Sequence, residues 1–405
     1  MWLALAWRNL WRNSRRTLIT VAALGLGVMA ITFLHTYRES VFGQLLDNVT
    51  SGALGHLQVH AAGWQKNPEL ERAIADPAAV EAVVQRTLPG AKVAPRVLGF
   101  GLVGSGEQST GAAVFGLDPA REQGELRFLT IAKGKHLGAA GQREALVGVD
   151  LAEQLGVGLG GEVVLVGAAV DGSVANDRYV VVGLADAGSG ELNGSGVFLH
   201  LADAQAFFGL GVGVHQLVVR LPGGGEDVSG PTAQLQAQLG NPRLEVLSWD
   251  KIVPELKATM TQKRKGQAVL AYVLFALVAL GVLNAMTMAT LERTRELGVL
   301  ASLGTRPRQL LGMILLEGLL QGALGVALGA ALTVGTVFAV GDINLEAFAE
   351  QDMLGIRFPS IIHLTLQWGG LFQALQVALW TALVGSALPA WRAARMKPAE
   401  ATRSY

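Results

Sequence analysis

The sequence contains no cysteine among its 405 residues, and only 16% of the residues are charged. Without cysteine the chain has no disulfide, no thiolate nucleophile and no cysteine-ligated metal, although this absence does not indicate a compartment. Basic and acidic residues number 32 each, so the formal net charge is zero and no basic field attracts nucleic acid. We therefore exclude nucleic acid from the expected partners.

The motifs of common nucleotide-binding and hydrolytic sites are also missing from the sequence. A P-loop requires G-x-x-x-x-G-K-[ST], but Gly134 and Lys135 are followed by His136 and lack the first glycine. Neither a G-x-S-x-G elbow nor an H-E-x-x-H zinc motif occurs. Apolar and polar residues alternate around His56 and His60, which favours a surface strand over a metal site. We predict no catalytic residue, no metal site and no directly bound cofactor.

Apolar residues make up 51% of the chain and form four runs long enough to cross a membrane. A spanning helix needs ~20 residues with few charges to cross about 30 Å of hydrocarbon. Residues 17–37 and 266–291 contain no charge, and the third run contains Glu317 as its only ionisable residue. We therefore predict a multi-pass α-helical membrane protein with four transmembrane helices, the last two at residues 309–341 and 364–389.

Basic residues flank these runs in three clusters that fall on one side of the membrane. Under the positive-inside rule this side is cytoplasmic, which places residues 50–247 outside. Lys263, Arg264 and Lys265 would then lie outside as well, next to a large translocated domain where the rule is weakest. The clusters comprise Arg8, Arg12, Arg15 and Arg16, then Arg293, Arg295, Arg306 and Arg308, and finally Arg392, Arg395, Lys397 and Arg403.

The residues before the first run predict an amphipathic helix. Leu3, Trp7, Leu10 and Trp11 share one helical face, so residues 1–16 are predicted to lie in the cytoplasmic lipid interface. A disordered basic leader is the alternative.

Helical periodicity extends two of the predicted helices beyond the membrane. Residues 17–49 are predicted to form the first transmembrane helix and a stalk, and residues 248–291 a second stalk and transmembrane helix. An unbroken helix from Pro254 to Leu291 would be roughly 57 Å long at about 1.5 Å per residue. We therefore expect both helices to project well beyond the hydrocarbon core.

Residues 50–247 alternate short β-rich runs with glycine turns, which predicts a large α+β extracytoplasmic domain inserted between helices 1 and 2. Pro95 is expected to break the first strand. Residues 342–363 are predicted as a short periplasmic loop and residues 390–405 as a cytoplasmic tail. The expected strands are 93–103, 163–166, 179–182 and 216–221, the expected helices are 78–87, 151–155 and 232–239, and the expected loops are 188–196 and 223–225.

Two stretches beside the membrane runs are similar to a known family. Residues 291–311 read L-E-R-T-R-E-L-G-V-L-A-S-L-G-T-R-P-R-Q-L-L, and residues 388–399 read L-P-A-W-R-A-A-R-M-K-P-A. Both resemble the FtsX-like permease family of ABC transporters, which includes MacB permeases and the lipoprotein-releasing LolC and LolE subunits. Residues 7–10, 116–119 and 148–152 also look like family positions, so the resemblance extends across the chain.

The resemblance implies that residues 292–308 form a cytoplasmic coupling helix, which docks into a separate ABC ATPase that uses ATP and Mg²⁺. Leu297, Leu300, Ala301 and Gly304 share one face of such a helix, as groove binding requires. From periodicity alone, a helix resting on lipid is an equal alternative. The coupling residues implied are Glu292, Arg293, Arg295, Glu296, Leu297, Gly298, Leu300, Ala301, Leu303 and Gly304.

The third predicted span carries two G-x-x-x-G pairs, Gly318 with Gly322 and Gly325 with Gly329. Such pairs permit close helix packing, and packing within the chain or against a second permease chain both fit them. Glu317 is expected to face protein or to reach the cytoplasmic interface, because a carboxylate is costly in lipid. A proton relay is the alternative role for this residue.

The resemblance implies a non-catalytic permease subunit of a mechanotransmission-type ABC transporter in the bacterial inner (cytoplasmic) membrane. Its expected partners are the ATPase, a second identical or similar permease chain, membrane lipids, and lipoproteins or a periplasmic protein. The chain length, without a fused ATPase, and the G-H-L-Q-V-H sequence at residues 55–60 favour lipoprotein release toward the outer membrane. MacB-like efflux of peptides or drugs, FtsX-like regulation of a cell-wall hydrolase, and a sensor without an ATPase remain open.

Overall fold

The computed structural model describes most of the chain, which forms two compact units. The first unit comprises residues 1–42, 260–344 and 361–405, and the second comprises residues 43–259 and 345–360. The described residues are 2–52, 54–122, 129–344, 352–353, 356–357, 361–366 and 368–395.

Helices dominate the first unit, whereas strands and short helices alternate in the second. The helices of the described residues are α1 (Trp2–Arg12), α2 (Ser14–Ser51), α3 (Pro77–Thr87), α4 (Val149–Gln154), α5 (Gly190–Ser195), α6 (Leu201–Phe208), α7 (Ser229–Leu239), α8 (Trp249–Ile252), α9 (Pro254–Glu292), α10 (Thr294–Ser302), α11 (Pro307–Val340) and α12 (Trp368–Ala394). The strands are β1 (Leu57–Ala61), β2 (Lys92–Ser105), β3 (Gln108–Leu117), β4 (Thr130–Gly134), β5 (Glu144–Gly148), β6 (Glu162–Ala168), β7 (Val174–Asp186), β8 (Gly196–His200), β9 (Gln216–Arg220), β10 (Leu244–Ser248), β11 (Asp342–Asn344), β12 (Asp352–Met353), β13 (Ile356–Arg357) and β14 (Ile361–His363).

Four of these helices, α2, α9, α11 and α12, are long and apolar enough to cross a membrane, as predicted. The α9 helix is unbroken from Pro254 to Glu292, which matches the helix expected from its sequence pattern. The helix α12 continues through Pro389, where the last span was expected to end, to Ala394. Membrane helices tolerate proline because neighbouring helices and local adjustments compensate for its missing donor.

Two further segments differ from the sequence expectations. The N-terminal helix α1 ends at Arg12 and α2 begins at Ser14, so residues 14–16 belong to the first long helix. Residues 342–363 are more than a loop, since β11 pairs with β14 and β12 with β13 in antiparallel ladders. The rest of that segment and residues 396–405 of the expected tail lie outside the described residues.

The first G-x-x-x-G pair of α11 packs against α12. A Cβ added to Gly318 would lie 2.6 Å from Ser386 Oγ, and one added to Gly322 would lie 2.8 Å from Ala382 Cβ. Real Cβ atoms do not approach other heavy atoms this closely, so both contacts require glycine. This pair therefore serves packing within the unit.

The second G-x-x-x-G pair of α11 packs against α2. A Cβ added to Gly325 would lie 2.5 Å from Leu24 Cβ, and one added to Gly329 would lie 2.6 Å from Val28 Cβ and 2.7 Å from the Gly25 carbonyl oxygen. Both pairs are thus used between helices of one chain, with a different neighbour for each pair.

We expect Gly329→Ala to destabilise the helical unit by roughly 1–3 kcal/mol, because the added methyl group meets backbone that cannot move freely. Gly335→Ala is the matched control on the same helix, since a Cβ there meets nothing within 4 Å. Removing glycine from a helix interior stabilises it by roughly 0.5–1 kcal/mol, so the control should unfold later. Denaturant unfolding in mild detergent measures both, and equal midpoints for the two variants would refute the packing assignment.

The second unit is built on a ten-stranded mixed sheet. Its strand order is β10-β1-β9-β2-β3-β8-β5-β7-β4, and β6 pairs with both β2 and β7. The pairings of β2, β3, β8, β5, β7 and β6 therefore close a ring of six strands. Short helices connect the strands, so the predicted combination of strands and helices in one α+β domain is confirmed.

The β2 strand runs unbroken from Lys92 to Ser105, so the predicted break at Pro95 is wrong. Pro95 faces Leu217 of β9 on one side, whereas pairing with β3 begins only at Arg96. Proline has no N–H to donate, and it is tolerated where a strand has a neighbour on one side only. The full length of β2 joins the strands β10, β1 and β9 to the ring.

The strand predicted at residues 56–60 exists as β1, but both histidines are buried rather than at the surface. The strand lies between β10 and β9, and the His60 ring stacks on Trp64 with centroids 4.9 Å apart. His215 stacks on the same Trp64 ring at 5.9 Å. Alternation in sequence does not reveal that a central strand is covered on both faces, which explains the wrong placement. Among the described residues no group of three or more His, Cys, Asp or Glu is arranged to hold a metal ion.

Residues 188–196 contain the helix α5 where a glycine-rich loop was the expectation. The buried Asn193 side chain accepts a hydrogen bond from the Ala187 N–H at 2.8 Å and donates to Asp186 Oδ1 at 3.0 Å. These side-chain contacts stabilise a short helix, which the high glycine content of the segment does not predict. The remaining expected strands and helices fall on β6, β7, β9, α3, α4 and α7.

Candidate coupling site

The short helix α10 connects the long helices α9 and α11. It follows an interruption at Arg293, whose backbone angles are φ −104° and ψ 12°. It ends in a Schellman motif, in which Gly304 adopts φ +92° and the Thr305 N–H bonds to the Leu300 carbonyl at 3.1 Å. Pro307 then begins α11 at a position that favours proline. The L-G-T-R-P sequence therefore sets both the end of α10 and the start of α11.

One face of α10 is buried inside the first unit. Leu297 and Gly298 are buried, and Ala301 packs beside them. Leu297, which the sequence places on the expected docking face, is thus covered by its own chain. Periodicity identifies an apolar face without naming the neighbour that covers it. The cluster around Leu297 comprises Leu24, Val282, Met286, Leu310, Met313, Ile314, Ala390 and Ala393.

Outside this buried cluster, α10 and its C-cap residue Leu303 expose apolar side chains. Val299, Leu300 and Leu303 are 44%, 37% and 78% exposed. Arg295 lies four residues before Val299 and eight before Leu303, so these three side chains form one line on the helix. We call Arg295, Val299, Leu300 and Leu303 the coupling surface. Exposed apolar groups of this kind mark a contact with a partner or with lipid.

The other charged residues predicted for coupling contact the rest of their own unit. Glu292 pairs with Arg16, and Arg12 Nη1 donates to Glu296 Oε2 at 2.7 Å. The hydrogen bond from Arg12 lowers the pKa of Glu296 below its ordinary value. Arg293 is engaged with residues of α1 and α11. These three predicted residues thus anchor α10, and they leave Arg295 as the charged member of the coupling surface.

Sequence reasoning misses three residues that contact the site from the N-terminal helices. Arg12 and Arg16 belong to a basic cluster that indicates membrane orientation, and their acidic partners are more than 270 positions away. Asn9 Nδ2 donates to Glu317 Oε1 at 2.7 Å, across 308 positions. The one available sequence signal is Glu317 itself, because a lone carboxylate in an apolar span points to a cationic or polar partner.

Two family profiles match the chain. The profile described as MacB-like periplasmic core domain matches residues 17–237, which is more than half of the chain. The profile described as FtsX-like permease C-terminal matches residues 268–398, a range that includes α10 and the coupling surface.

Curated relatives align with nearly the whole chain at low identity. The lipoprotein-releasing system transmembrane protein LolC of Neisseria meningitidis serogroup B is 22% identical over 408 residues, covering 96% of this chain and 94% of the relative. The pyoverdine export ATP-binding/permease protein PvdT of Pseudomonas aeruginosa is 24% identical over 428 residues. That alignment covers 98% of this chain but 58% of the relative.

Two solved structures are similar to part of the chain. The periplasmic region of MacB from Actinobacillus actinomycetemcomitans aligns with a TM-score of 0.38 and 12% identity, covering 53% of this chain and 98% of that one. The extracellular domain of the ABC-type transporter YknZ from Gram-positive bacteria aligns with a TM-score of 0.34 and 13% identity, covering 47% of this chain and 99% of that one.

Proposed function

This chain belongs to the family of ABC transporter permeases that join a MacB-like periplasmic core domain to an FtsX-like permease domain, and we propose that it transmits movement from a separate ATPase to its periplasmic domain. The ATPase would bind ATP and Mg²⁺, while this chain would supply the docking surface and the helices that move. A second permease chain would complete the assembly in the inner membrane.

The coupling surface on α10 is the observation that carries this proposal. Its three apolar side chains are exposed on a nine-residue helix and its C-cap residue, Leu303, between two long apolar helices. A groove on a soluble partner would bury them, and Arg295 at the edge suits a groove with an acidic rim. Because Leu297 on the other face packs among residues of α9, α11 and α12, a push on the coupling surface reaches those helices directly.

The lengths of α2 and α9 support the transmission of movement out of the membrane. They contain 38 and 39 residues. At about 1.5 Å per residue each is roughly 57–59 Å long, well beyond a hydrocarbon core of about 30 Å. We propose that these continuous helices carry the displacement from the coupling surface to the periplasmic domain.

The proposed cargo is a lipoprotein that is released from the inner membrane toward the outer membrane. The support for this cargo is the LolC relative, which aligns with this chain over nearly its whole length. Efflux of a small amphipathic molecule is the second candidate, because a relative named for pyoverdine export aligns with 98% of this chain.

Reconstitution of the permease with its copurifying ATPase tests the proposed cargo. Proteoliposomes that contain a fluorescently labelled triacylated lipoprotein should transfer it to a soluble acceptor only when ATP is hydrolysed, so a non-hydrolysable analogue should give no release. Loss of an encapsulated siderophore-like peptide without lipoprotein release would favour efflux instead. ATP hydrolysis with neither movement would refute transport and would favour regulation of an outer enzyme.

The native absence of cysteine provides a direct topology prediction. A cysteine at the exposed Ala139 of the second unit should react with a membrane-impermeant maleimide in intact spheroplasts, whereas one at the exposed Ser302 of α10 should not. Lysis should make both positions reactive, which controls for the accessibility of Ser302. Labelling of Ser302 before lysis would reverse the orientation and remove α10 from the reach of an ATP-driven partner.

A further inference from the structure

Four polar contacts tie the start of α10 to residues that are distant in sequence. Two of them, Arg12 with Glu296 and Arg16 with Glu292, involve exposed carboxylates and contribute little to stability. The other two involve Arg293, which contacts the Glu317 carboxylate and the Asn9 carbonyl. These two contacts lie in the interior of the unit, where an unpaired charge is costly.

The buried part of this network is the Glu317 node, formed by Asn9, Arg293 and Glu317. The side chains of Arg293 and Glu317 are 18% and 8% exposed. Arg293 Nη1 donates to both carboxylate oxygens at 3.1 and 3.2 Å, and Asn9 Nδ2 donates to Glu317 Oε1 at 2.7 Å. Arg293 Nη2 also donates to the Asn9 carbonyl at 2.9 Å. One guanidinium therefore joins α1 and α11 to the break between α9 and α10.

Helix capping does not explain why an arginine occupies this break. Arg293 is the N-cap residue of α10, a position where Ser, Thr, Asp or Asn ordinarily accepts a hydrogen bond from the first turn. Arg293 makes no such capping bond. Its planar fork instead reaches two acceptors on two other helices at once, which the single ammonium of a lysine matches poorly.

We propose that Glu317 is a positioning residue that fixes the direction of α10 against α1 and α11. The consequence rests on the proposed function: a push on the coupling surface acts on a helix that is hinged at Arg293. With the Glu317 node intact, a displacement of α10 moves α11 and α1 with it. Without the node, α10 changes its angle at Arg293 and the displacement is not transmitted to α11 and α1.

The geometry of the node gives no route for the proton relay that the sequence left open. Within the described residues, Asn9 and Arg293 are the hydrogen-bond partners of the Glu317 carboxylate. An amide does not titrate and a guanidinium stays protonated, so neither partner passes a proton onward. The carboxylate accepts three hydrogen bonds, and its proposed role is to hold α10 in position.

A pair of variants separates positioning from simple stability. Glu317→Met leaves the Arg293 guanidinium buried without its counter-ion, and it should lower the unfolding temperature. The double variant Arg293→Met/Glu317→Met removes both charges and fills the space with apolar groups, a change that commonly restores stability. The double variant should therefore unfold near the temperature of the unmodified permease, while α10 lacks the contacts of the Glu317 node.

The first readout uses the permease alone in lipid nanodiscs. A nitroxide label on Ser302→Cys, at the exposed end of α10, should show higher mobility in the double variant than in the unmodified background. Gln321→Met is the matched control, because Gln321 is buried one turn further along α11 and takes no part in the hydrogen bonds of the Glu317 node. The control should leave the label spectrum unchanged. An unchanged spectrum in the double variant would overturn the proposal, since α10 would then be held without the node.

The second readout adds the copurifying ATPase and measures ATP-dependent displacement of the periplasmic domain per ATP hydrolysed. In the double variant this ratio should be about tenfold lower, although the variant should still bind the ATPase. A decrease of this size is within the range of coupling changes measured for residues between two sites. Full recovery of the ratio together with stability would show a purely structural role and overturn the proposal. If the unmodified permease binds no ATPase, the proposed function fails, but the label mobility still decides whether Glu317 positions α10.

Discussion

Leu303→Asp is expected to reduce association with the partner ATPase by roughly thirtyfold or more, the effect of losing an interface hot spot worth about 2 kcal/mol. Leu303 is 78% exposed, so little packing depends on its side chain and the permease with aspartate there should still fold. A carboxylate placed in an apolar groove without a partner cation keeps its desolvation cost, which opposes binding. Val299→Asp, one turn earlier on the same line, should have a similar effect.

The association is measured between nanodisc-embedded permease and the purified ATPase by surface-based binding kinetics. Val212→Asp serves as the matched control, because Val212 is 71% exposed but belongs to the second unit. It should leave the dissociation constant unchanged. Unchanged binding by Leu303→Asp and Val299→Asp would show that the coupling surface rests on lipid, which is the alternative that sequence periodicity allowed.

Acidification from pH 7 to pH 5 is expected to destabilise the second unit through its buried histidines, two of which accept backbone hydrogen bonds. His215 Nδ1 accepts a hydrogen bond from the Leu98 N–H at 3.0 Å, and His56 Nδ1 accepts one from the Leu221 N–H at 3.3 Å. Both rings are buried, and burial lowers the pKa of each below the ordinary value of 6.5. Protonation at Nδ1 would remove the acceptor and leave a buried N–H unpaired, at a cost of roughly 1–3 kcal/mol for each site.

The sign of this pH dependence follows from the direction of the pKa change. Below pH 6.5 the unfolded chain binds protons at these histidines while the folded chain does not, so the free energy of unfolding falls as pH falls. The stability is fully present above pH 6.5 and is lost progressively toward the lowered pKa values. Amide hydrogen exchange of β2 in the full chain, corrected for the intrinsic pH dependence of exchange, measures the loss.

His215→Asn tests the assignment of this effect. The asparagine Oδ1 can accept from the Leu98 N–H in place of Nδ1 but does not bind a proton in this range. The variant should therefore show a shallower loss of protection between pH 7 and pH 5. His136→Asn, at an exposed position, is the control and should retain the steep dependence. Equal slopes for the unmodified chain and His215→Asn would contradict the assignment.

The membrane helices could be predicted from the sequence because their determinants are local. Run length and charge content identify a spanning helix, and the 3.6-residue pattern after Pro254 extends α9 to its observed length. The L-G-T-R-P turn after α10 is likewise readable, since Gly304 needs a left-handed backbone and Pro307 favours a helix start. Each of these features depends on neighbours within a few positions of the chain.

The parts that sequence reasoning missed depend on neighbours that are remote in the chain. Whether Leu297 or Leu303 faces a partner is decided by the hydrophobic cluster that α9, α11 and α12 build around α10. Pro95 continues a strand only because β3 begins its pairing one residue later. The Glu317 node joins Asn9 to Arg293 and Glu317, and no local sequence pattern predicts a contact over such a distance in the chain.

The central claim, that ATP-driven movement enters at the coupling surface and reaches the periplasmic domain, is tested most directly by hydrogen exchange of the assembled complex. Deuterium uptake in residues 54–252 is compared between ADP and a non-hydrolysable ATP analogue, for the unmodified permease and for Leu303→Asp. The account predicts a nucleotide-dependent change in that region that the substitution abolishes. Uptake that stays the same in both nucleotide states, in a complex that hydrolyses ATP, would contradict it.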